Sequence, residues 1–481
     1  MSTQSISAAG RAPAAFSPTR SRWLPLPVIL AGTFMVVLDF FIVNVALPSM
    51  QARLHASNGA IEWVVAGYGL TNAVFLITGA RLGDRLGRVR VFTAGLALFT
   101  LASAGCGLAG TPEVLILSRL AQGCAAALLM PNVLAIIGVL YEGEDRAKAL
   151  AAYGMSMGLA AVSGQLIGGI LVQANPAGLG WRSCFLINIP IGILAVIAAP
   201  RMIRVGGADS RGPAGTSLDL AGTTLATLGL TAIVLPLVEG RAHGWPLWTW
   251  LALASAPVLL GAFALQQRRL AARGGTPLMP PELFRSRGVT VGLAAQLLFW
   301  SGQASFFLVL SLYLQLGRGM SALHSGLVFT ILAGTYLMTS LRAPALTVRH
   351  GRGVLAAGAG MLAVGHLTLA LSVADIGIGG SVLALAPGLA LVGAGMGLGI
   401  TPLASLIMAA APPEHVGATS GVLSTMQNVG NAIGVALVGV LFYGAVSHGF
   451  AGAFQISVIA LAVALSGVAA LTRLIPAQIG S

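Results

Sequence analysis

The chain has 481 residues, 56% of them hydrophobic and only 8% charged, with 64 glycines and a formal net charge of +13. Such a composition excludes a soluble globular protein, and its long continuous apolar runs exclude an outer-membrane barrel, whose segments are short and alternate in polarity. The basic excess does not indicate nucleic acid, because the arginines fall in short loops between apolar segments, where membrane topology accounts for them.

A helix that crosses a bilayer needs roughly 20 mainly apolar residues. Segments of this kind are predicted at 26–47, 61–80, 90–110, 113–138, 147–173, 182–199, 218–239, 246–266, 289–316, 321–341, 354–373, 380–409, 416–444 and 451–475. The fold expected is therefore all-α, with about fourteen membrane helices and no separate soluble domain. Residues 1–25 are polar, contain Pro and Ser, and have no early apolar core, so a disordered cytoplasmic tail is expected there, not a cleaved signal. A second tail is expected at 476–481.

Cytoplasmic loops retain positive charge. On the side of the two termini fall Arg11, Arg20, Arg22, Arg81, Arg85, Arg88, Arg90, Arg146, Lys148, Arg201, Arg204, Arg211 and most basic residues beyond them; the opposite side keeps Arg53, Arg182, Arg241 and Arg318. Both termini are thus expected in the cytoplasm. Lys148 is the one lysine among 26 basic residues, a bias that fits a high-GC bacterial genome and hence a bacterial inner membrane.

Within the first span, Asp39 stands in the run Leu38-Asp39-Phe40-Phe41-Ile42-Val43-Asn44-Val45-Ala46-Leu47-Pro48. A charge in hydrocarbon is costly, so an intramembrane acid is by default a candidate for ion handling. Arg119, in the fourth span, is the one basic residue placed well inside the hydrocarbon. Cys106, Cys124 and Cys184 lack metal-ligand spacing, so neither metal nor disulfide is expected. The chain has no Gly-x-x-x-x-Gly-Lys-Ser/Thr loop, and neither an enzyme nor an ATP-driven pump is indicated; no cofactor is expected.

Two loops echo each other. Gly79-Ala80-Arg81-Leu82-Gly83-Asp84-Arg85-Leu86-Gly87-Arg88-Val89-Arg90 follows the second span, and Pro344-Ala345-Leu346-Thr347-Val348-Arg349-His350-Gly351-Arg352 follows the tenth, with Arg349, Gly351 and Arg352 where Arg85, Gly87 and Arg88 stand. Parallel six-helix repeats with a substrate site between them are a transporter signature. The expected division is 26–199 and 289–475 as the two bundles, with two extra membrane helices and linkers in 200–288.

The order of motifs resembles the major facilitator superfamily, and within it the fourteen-helix drug:proton antiporters that include multidrug and antibiotic exporters. Leu38-Asp39 through Asn44-Val45-Ala46-Leu47-Pro48, the Gly/Asp/Arg loop, Arg119-Leu120-Ala121-Gln122-Gly123 with Pro131, and Trp181-Arg182 with Phe185-Leu186-Ile187-Asn188-Ile189-Pro190-Ile191-Gly192 carry the resemblance over nearly the whole chain. One departure stands out: where the antiporter signature of the fifth helix has Gly-Pro-x-x-Gly-Gly, this chain has Gly164-Gln165-Leu166-Ile167-Gly168-Gly169.

The resemblance implies that helices one and four pack in the same half, which makes Asp39 and Arg119 a candidate neutralising pair. Parting them would favour protonation of the acid and rejoining them would favour release; a static buried ion pair is the alternative. Gln122, one turn from Arg119, faces the same way and is a candidate for the pair or for the substrate cavity. Gln296, Trp300, Gln303 and Phe307 recur at helical spacing in the ninth span; Gln427 and Asn428, with Ser420, Ser424 and Asn431, share a face of the thirteenth. With Gln122 and Gln165 they are the expected cavity lining, although amides also serve as packing glue between helices. Aromatic rings with scattered amides suit an amphipathic small molecule.

The first loop is expected to act as a conformational latch. Gly83 and Gly87 would allow a tight turn, Asp84 would accept from the N-terminus of a neighbouring helix, and Arg85 and Arg88 would pair with acceptors on the opposite half. His366 is expected to be a neutral core histidine, and Glu62 and Glu239 to be acids near the outer boundary. The function expected is proton-coupled export of amphipathic drugs, with substrate, protons and lipid as partners and neither nucleic acid nor an obligate protein partner. A transporter dedicated to one metabolite and a non-transporting sensor of the same fold are the alternatives.

Overall fold

The computed structural model describes residues 22–203, 219–411 and 416–474. The expectations for Arg11, Arg20, Arg204 and Arg211, for the N-terminal tail up to residue 21, and for 476–481 lie outside the described residues. Fourteen helices are long and apolar enough to cross a membrane: α1 Pro25–Leu54, α2 Asn58–Leu86, α3 Arg88–Leu108, α4 Pro112–Leu140, α5 Gly143–Ala174, α6 Gly180–Met202, α7 Leu220–Glu239, α8 Leu247–Ala272, α9 Arg287–Gly317, α10 Ala322–His350, α11 Arg352–Ile376, α12 Val382–Ala409, α13 Thr419–His448 and α14 Phe450–Thr472.

Local chemistry fixes the helix starts. Ser57, Thr111, Ser286 and Ser321 each turn a side-chain oxygen back onto a backbone N–H of the first turn, and Asp219 does the same for α7. The ends correct the sequence reading. Because Leu82 to Leu86 continue the α2 hydrogen-bond ladder, Arg81, Asp84 and Arg85 belong to the last turns of that helix, and the expected loop narrows to Gly87 alone, with φ 102°. Only glycine adopts that conformation readily, so Gly87 is the corner between α2 and α3.

Helices α1 to α6 pack on one another and so do α9 to α14; α2 against α13, α5 against α10 and α1 against α9 join the two groups. Small residues set the closest approach. A Cβ on Gly79 would lie 2.2 Å from the Ala127 carbonyl oxygen, so α2 and α4 touch backbone to backbone. Helix α7 rests on α2 and α13, while α8 packs on α7 and is otherwise largely uncovered.

The end of the bundle opposite the Gly87 corner is closed. There Ser311 donates to the Asn44 carbonyl at 2.7 Å and Gln315 donates to the Val45 carbonyl at 2.9 Å, tying α9 to α1. Gly169 on α5 fits so closely beside α10 that a Cβ would fall 2.7 Å from the Ala322 oxygen. Toward the Gly87 corner the two groups part around a cavity.

Candidate functional site

Asp39 and Arg119 form an ion pair between α1 and α4, 0% and 1% exposed. The oxygens of the acid are shared out among several helices. Gln122 Nε2 donates to Asp39 Oδ1 at 2.8 Å and Asn188 Nδ2 donates to the same oxygen at 3.2 Å, while Arg119 Nη1 holds Oδ2. Ser103 accepts from both amides, at 3.3 and 3.1 Å, and donates to the Phe185 carbonyl at 2.9 Å. A buried ion pair persists only when further hydrogen bonds satisfy its remaining lone pairs and protons, and this network supplies them.

Arg119 also has partners that do not depend on Asp39. Its Nε donates to the Val64 carbonyl at 2.9 Å, its Nη1 donates to Gln122 Oε1 at 2.7 Å, and its guanidinium lies 4.2 Å from the centre of the Tyr68 ring. The cation therefore remains solvated by protein if the carboxylate takes up a proton.

Beside this network lies a cavity of about 530 Å³ between the two groups of helices. Gln165, Trp300, Gln303, Phe307, Gln427 and Asn428 line it, together with Phe41, Asn72, Phe329 and Tyr336. Neither Asp39 nor Arg119 reaches it. Phe40 and Tyr68, both on its wall, stand between, 6.5 Å apart.

Two expected lining residues are elsewhere. Gln122 is fully buried and occupied by Asp39 and Arg119, because the face of α4 that carries Arg119 points at α1 and not at the opposite half. Gln296 is 2% exposed and absent from the lining; α9 is enclosed almost all round, so a polar residue one turn below Trp300 can be buried away from the cavity.

The corner also differs from the expected latch. Gly83 is helical, and its missing side chain leaves room for Asn132, whose Oδ1 would be 1.8 Å from a Cβ; it permits close approach, not a turn. Asp84 Oδ1 accepts from Arg88 Nε and Nη2 at 3.1 and 3.0 Å, so acid and base satisfy each other within the corner in place of a helix N-terminus and the opposite half. Arg85 is exposed. Both Asp84 and Arg88 line the mouth of the cavity.

His366 Nδ1 donates to the Leu362 carbonyl at 2.7 Å, and the ring packs edge-on to Phe306 in the core. Glu239 accepts from Trp63 Nε1 at 2.8 Å, and buried Glu62 faces Arg241 at 3.8 Å. The sequence reading gave no role to Tyr68, Asn188, Ser103, Phe41 or Phe329. Asn188 lies within a quoted motif and its burial was signalled by its apolar neighbours; the rings carry no signal that separates a cavity wall from a core.

The family model described as Major Facilitator Superfamily matches residues 29–435 and 295–478. The chain is 39% identical to the "Probable actinorhodin transporter" of Streptomyces coelicolor, over 89% of this chain and 73% of that protein. It is 35% identical to the "Cephamycin export protein CmcT" of Amycolatopsis lactamdurans, over 96% and 94%, and 36% identical to the "Puromycin resistance protein pur8" of Streptomyces alboniger, over 89% and 83%. Among solved structures, a POT family transporter in complex with 5-aminolevulinic acid aligns with a TM-score of 0.69 at 17% identity, over 94% of this chain and 96% of that one. The chain belongs to the Major Facilitator Superfamily of membrane transporters.

Proposed function

We propose that the protein is a proton-coupled antiporter that exports an antibiotic or similar amphipathic small molecule across the bacterial inner membrane. The observation that carries the reading is the Asp39–Arg119 pair, buried beside the cavity, in which Arg119 keeps hydrogen-bond partners of its own when the acid takes up a proton. In this reading the Gly87 corner faces the cytoplasm, in keeping with the basic residues near it, and the cavity is open to the inside. Substrate enters there; Asp39 is protonated once the opposite end has opened and gives up its proton inside. The relatives named as antibiotic export and resistance proteins support the substrate class.

The test is proton flux in proteoliposomes holding the wild type or Asp39→Asn, with neutral and cationic amphipathic drugs added in turn. Drug-triggered proton release that disappears in Asp39→Asn is the expected result. Release that survives the substitution moves the coupling site elsewhere, and drug movement with no proton flux removes antiport altogether.

A further inference from the structure

Among the described residues, the cavity wall has no charge to spare for a substrate. Of its described lining residues only Asp84 and Arg88 are charged, and they neutralise each other at the mouth. The other acid nearby, Asp39, is already paired and is screened from the cavity by Phe40 and Tyr68. A fixed cation moved into such a space would lose its hydration without gaining a counter-ion.

Unpartnered amides are present instead. Gln165 is 2% exposed, faces the cavity, and has neither Oε1 nor Nε2 hydrogen-bonded. Asn72 Nδ2 donates to Asn428 Oδ1 at 3.2 Å, but Asn72 Oδ1 and Asn431 Oδ1 are buried with no hydrogen-bond partner among the described residues, and both residues belong to the wall. A buried donor or acceptor without a partner is costly, so these groups favour a ligand that supplies the missing hydrogen bonds.

Position and shape complete the case. A Cβ built on Gly164 would lie only 2.8 Å from that of Phe41, and one on Gly326, one turn before Phe329, 2.7 Å from the Gln165 carbonyl oxygen, so both glycines permit close approach. Gln165 is thus held where three rings close the inner end of the cavity: Phe307 and Phe329 stacked at 5.4 Å and 9°, with Phe41 edge-on to Phe307 at 5.1 Å. Flat rings stack on such faces.

We infer that Gln165 and the Phe41–Phe307–Phe329 cluster form the recognition surface for an uncharged, planar, polycyclic molecule bearing hydroxyl or carbonyl groups. The inference rests on the exporter reading above and narrows its substrate class: Gln165 gives one donor and one acceptor to the edge of the ring system, while the phenyl rings take its face. The residue occupies the position where the antiporter signature has proline, which can offer neither.

Equilibrium binding to the purified full-length protein in detergent, without any gradient, tests this apart from proton coupling. Quenching of tryptophan emission, corrected with Trp300→Phe, reports occupancy of the cavity. The probes are quinizarin, a neutral planar tricycle with hydroxyls and carbonyls, and ethidium, a planar tricycle with a fixed positive charge. Quinizarin is expected to bind at least about tenfold more tightly than ethidium, and Gln165→Leu to weaken quinizarin about tenfold, equivalent to about 1.4 kcal/mol. Gln165→Glu, of the same size but anionic, should reverse the order of the two probes.

Ethidium binding as tight as quinizarin in the wild type overturns the inference, as does binding of neither probe, or quinizarin affinity unchanged in Gln165→Leu. Should Gln165→Leu fail to fold, by its helical circular dichroism and thermal midpoint, the Gln165→Glu exchange of preference decides the matter. Quinizarin bound as expected by a protein with no proton flux would leave the recognition surface standing and the antiport reading fallen.

Discussion

Gln122 shows how one side chain can matter more than its apparent type. Its amide bonds the acid through nitrogen and the base through oxygen, so Gln122→Leu removes a partner from each member of a buried pair at once. Loss of a buried hydrogen-bond partner costs about 1–3 kcal/mol. The expected outcome is a lower thermal midpoint and a fall in turnover, with binding of a cavity ligand unchanged because Gln122 does not line the cavity; equal losses of binding and turnover would place it back on the wall. Asp39 and Arg119 were legible in the sequence because a charge within an apolar run has few innocent explanations. Gln122 was legible as their neighbour but not as a buried partner of both, since helical spacing gives direction without depth. Asn188 and Tyr68 were not legible, because an amide or a ring in an apolar helix looks the same whether it holds a charge or fills space.

Among the elements, the α7–α8 pair is joined to the rest at both of its ends. Near the Gly87 corner Arg81 donates to the Pro277 carbonyl at 2.5 Å and Thr78 meets Thr223 at 3.2 Å; at the other end Trp63 bonds Glu239, and Arg241 lies 3.8 Å from Glu62 and over the ring of Tyr443. Arg241 thus touches α2 and α13, one from each half. Glu62 is 1% exposed and has no hydrogen-bond donor among the described residues, so Arg241→Gln strands a buried carboxylate. Losing a pair that is 3.8 Å apart, without a hydrogen bond and open to solvent on the arginine side costs about 1 kcal/mol, and the double variant Glu62→Gln/Arg241→Gln should recover part of it. Thermal unfolding of the two singles and the double measures this; strictly additive losses would mean that the two side chains do not interact. The existence and order of the fourteen helices were read from apolar run length alone. Their ends were not, because Leu82 to Leu86 are as able to end a span as to extend one, and the hydrogen bonds that continue α2 depend on α4 packing against it.

At the scale of the molecule, closure at one end combines the Ser311 and Gln315 side-chain bonds with a contact of α5 and α10 that admits no side chain. Gly169→Val would push a branched group into the Ala322 carbonyl and wedge α5 from α10. The wedge should bias the protein toward the conformation open at that end, seen as a longer distance between spin labels at Gln173 and His324 by double electron–electron resonance. An unchanged distance with an intact fold would show that the seal at α1 and α9, through Ser311 and Gln315, suffices by itself. The two-half plan was visible in the repeated loops, but which end is shut was not, because alternating states share one sequence.

The mutual cancellation of Asp84 and Arg88 has an electrical consequence. If the proposed antiport carries a neutral cargo, a proton exchanged per cycle would be the one net charge that crosses. Export would then register as a current, and a membrane voltage of 100 mV would add about 2.3 kcal/mol of driving force per turn even with no pH difference. A cell could go on expelling the compound in alkaline surroundings, where the chemical part of the proton gradient vanishes, for as long as its membrane stayed polarised.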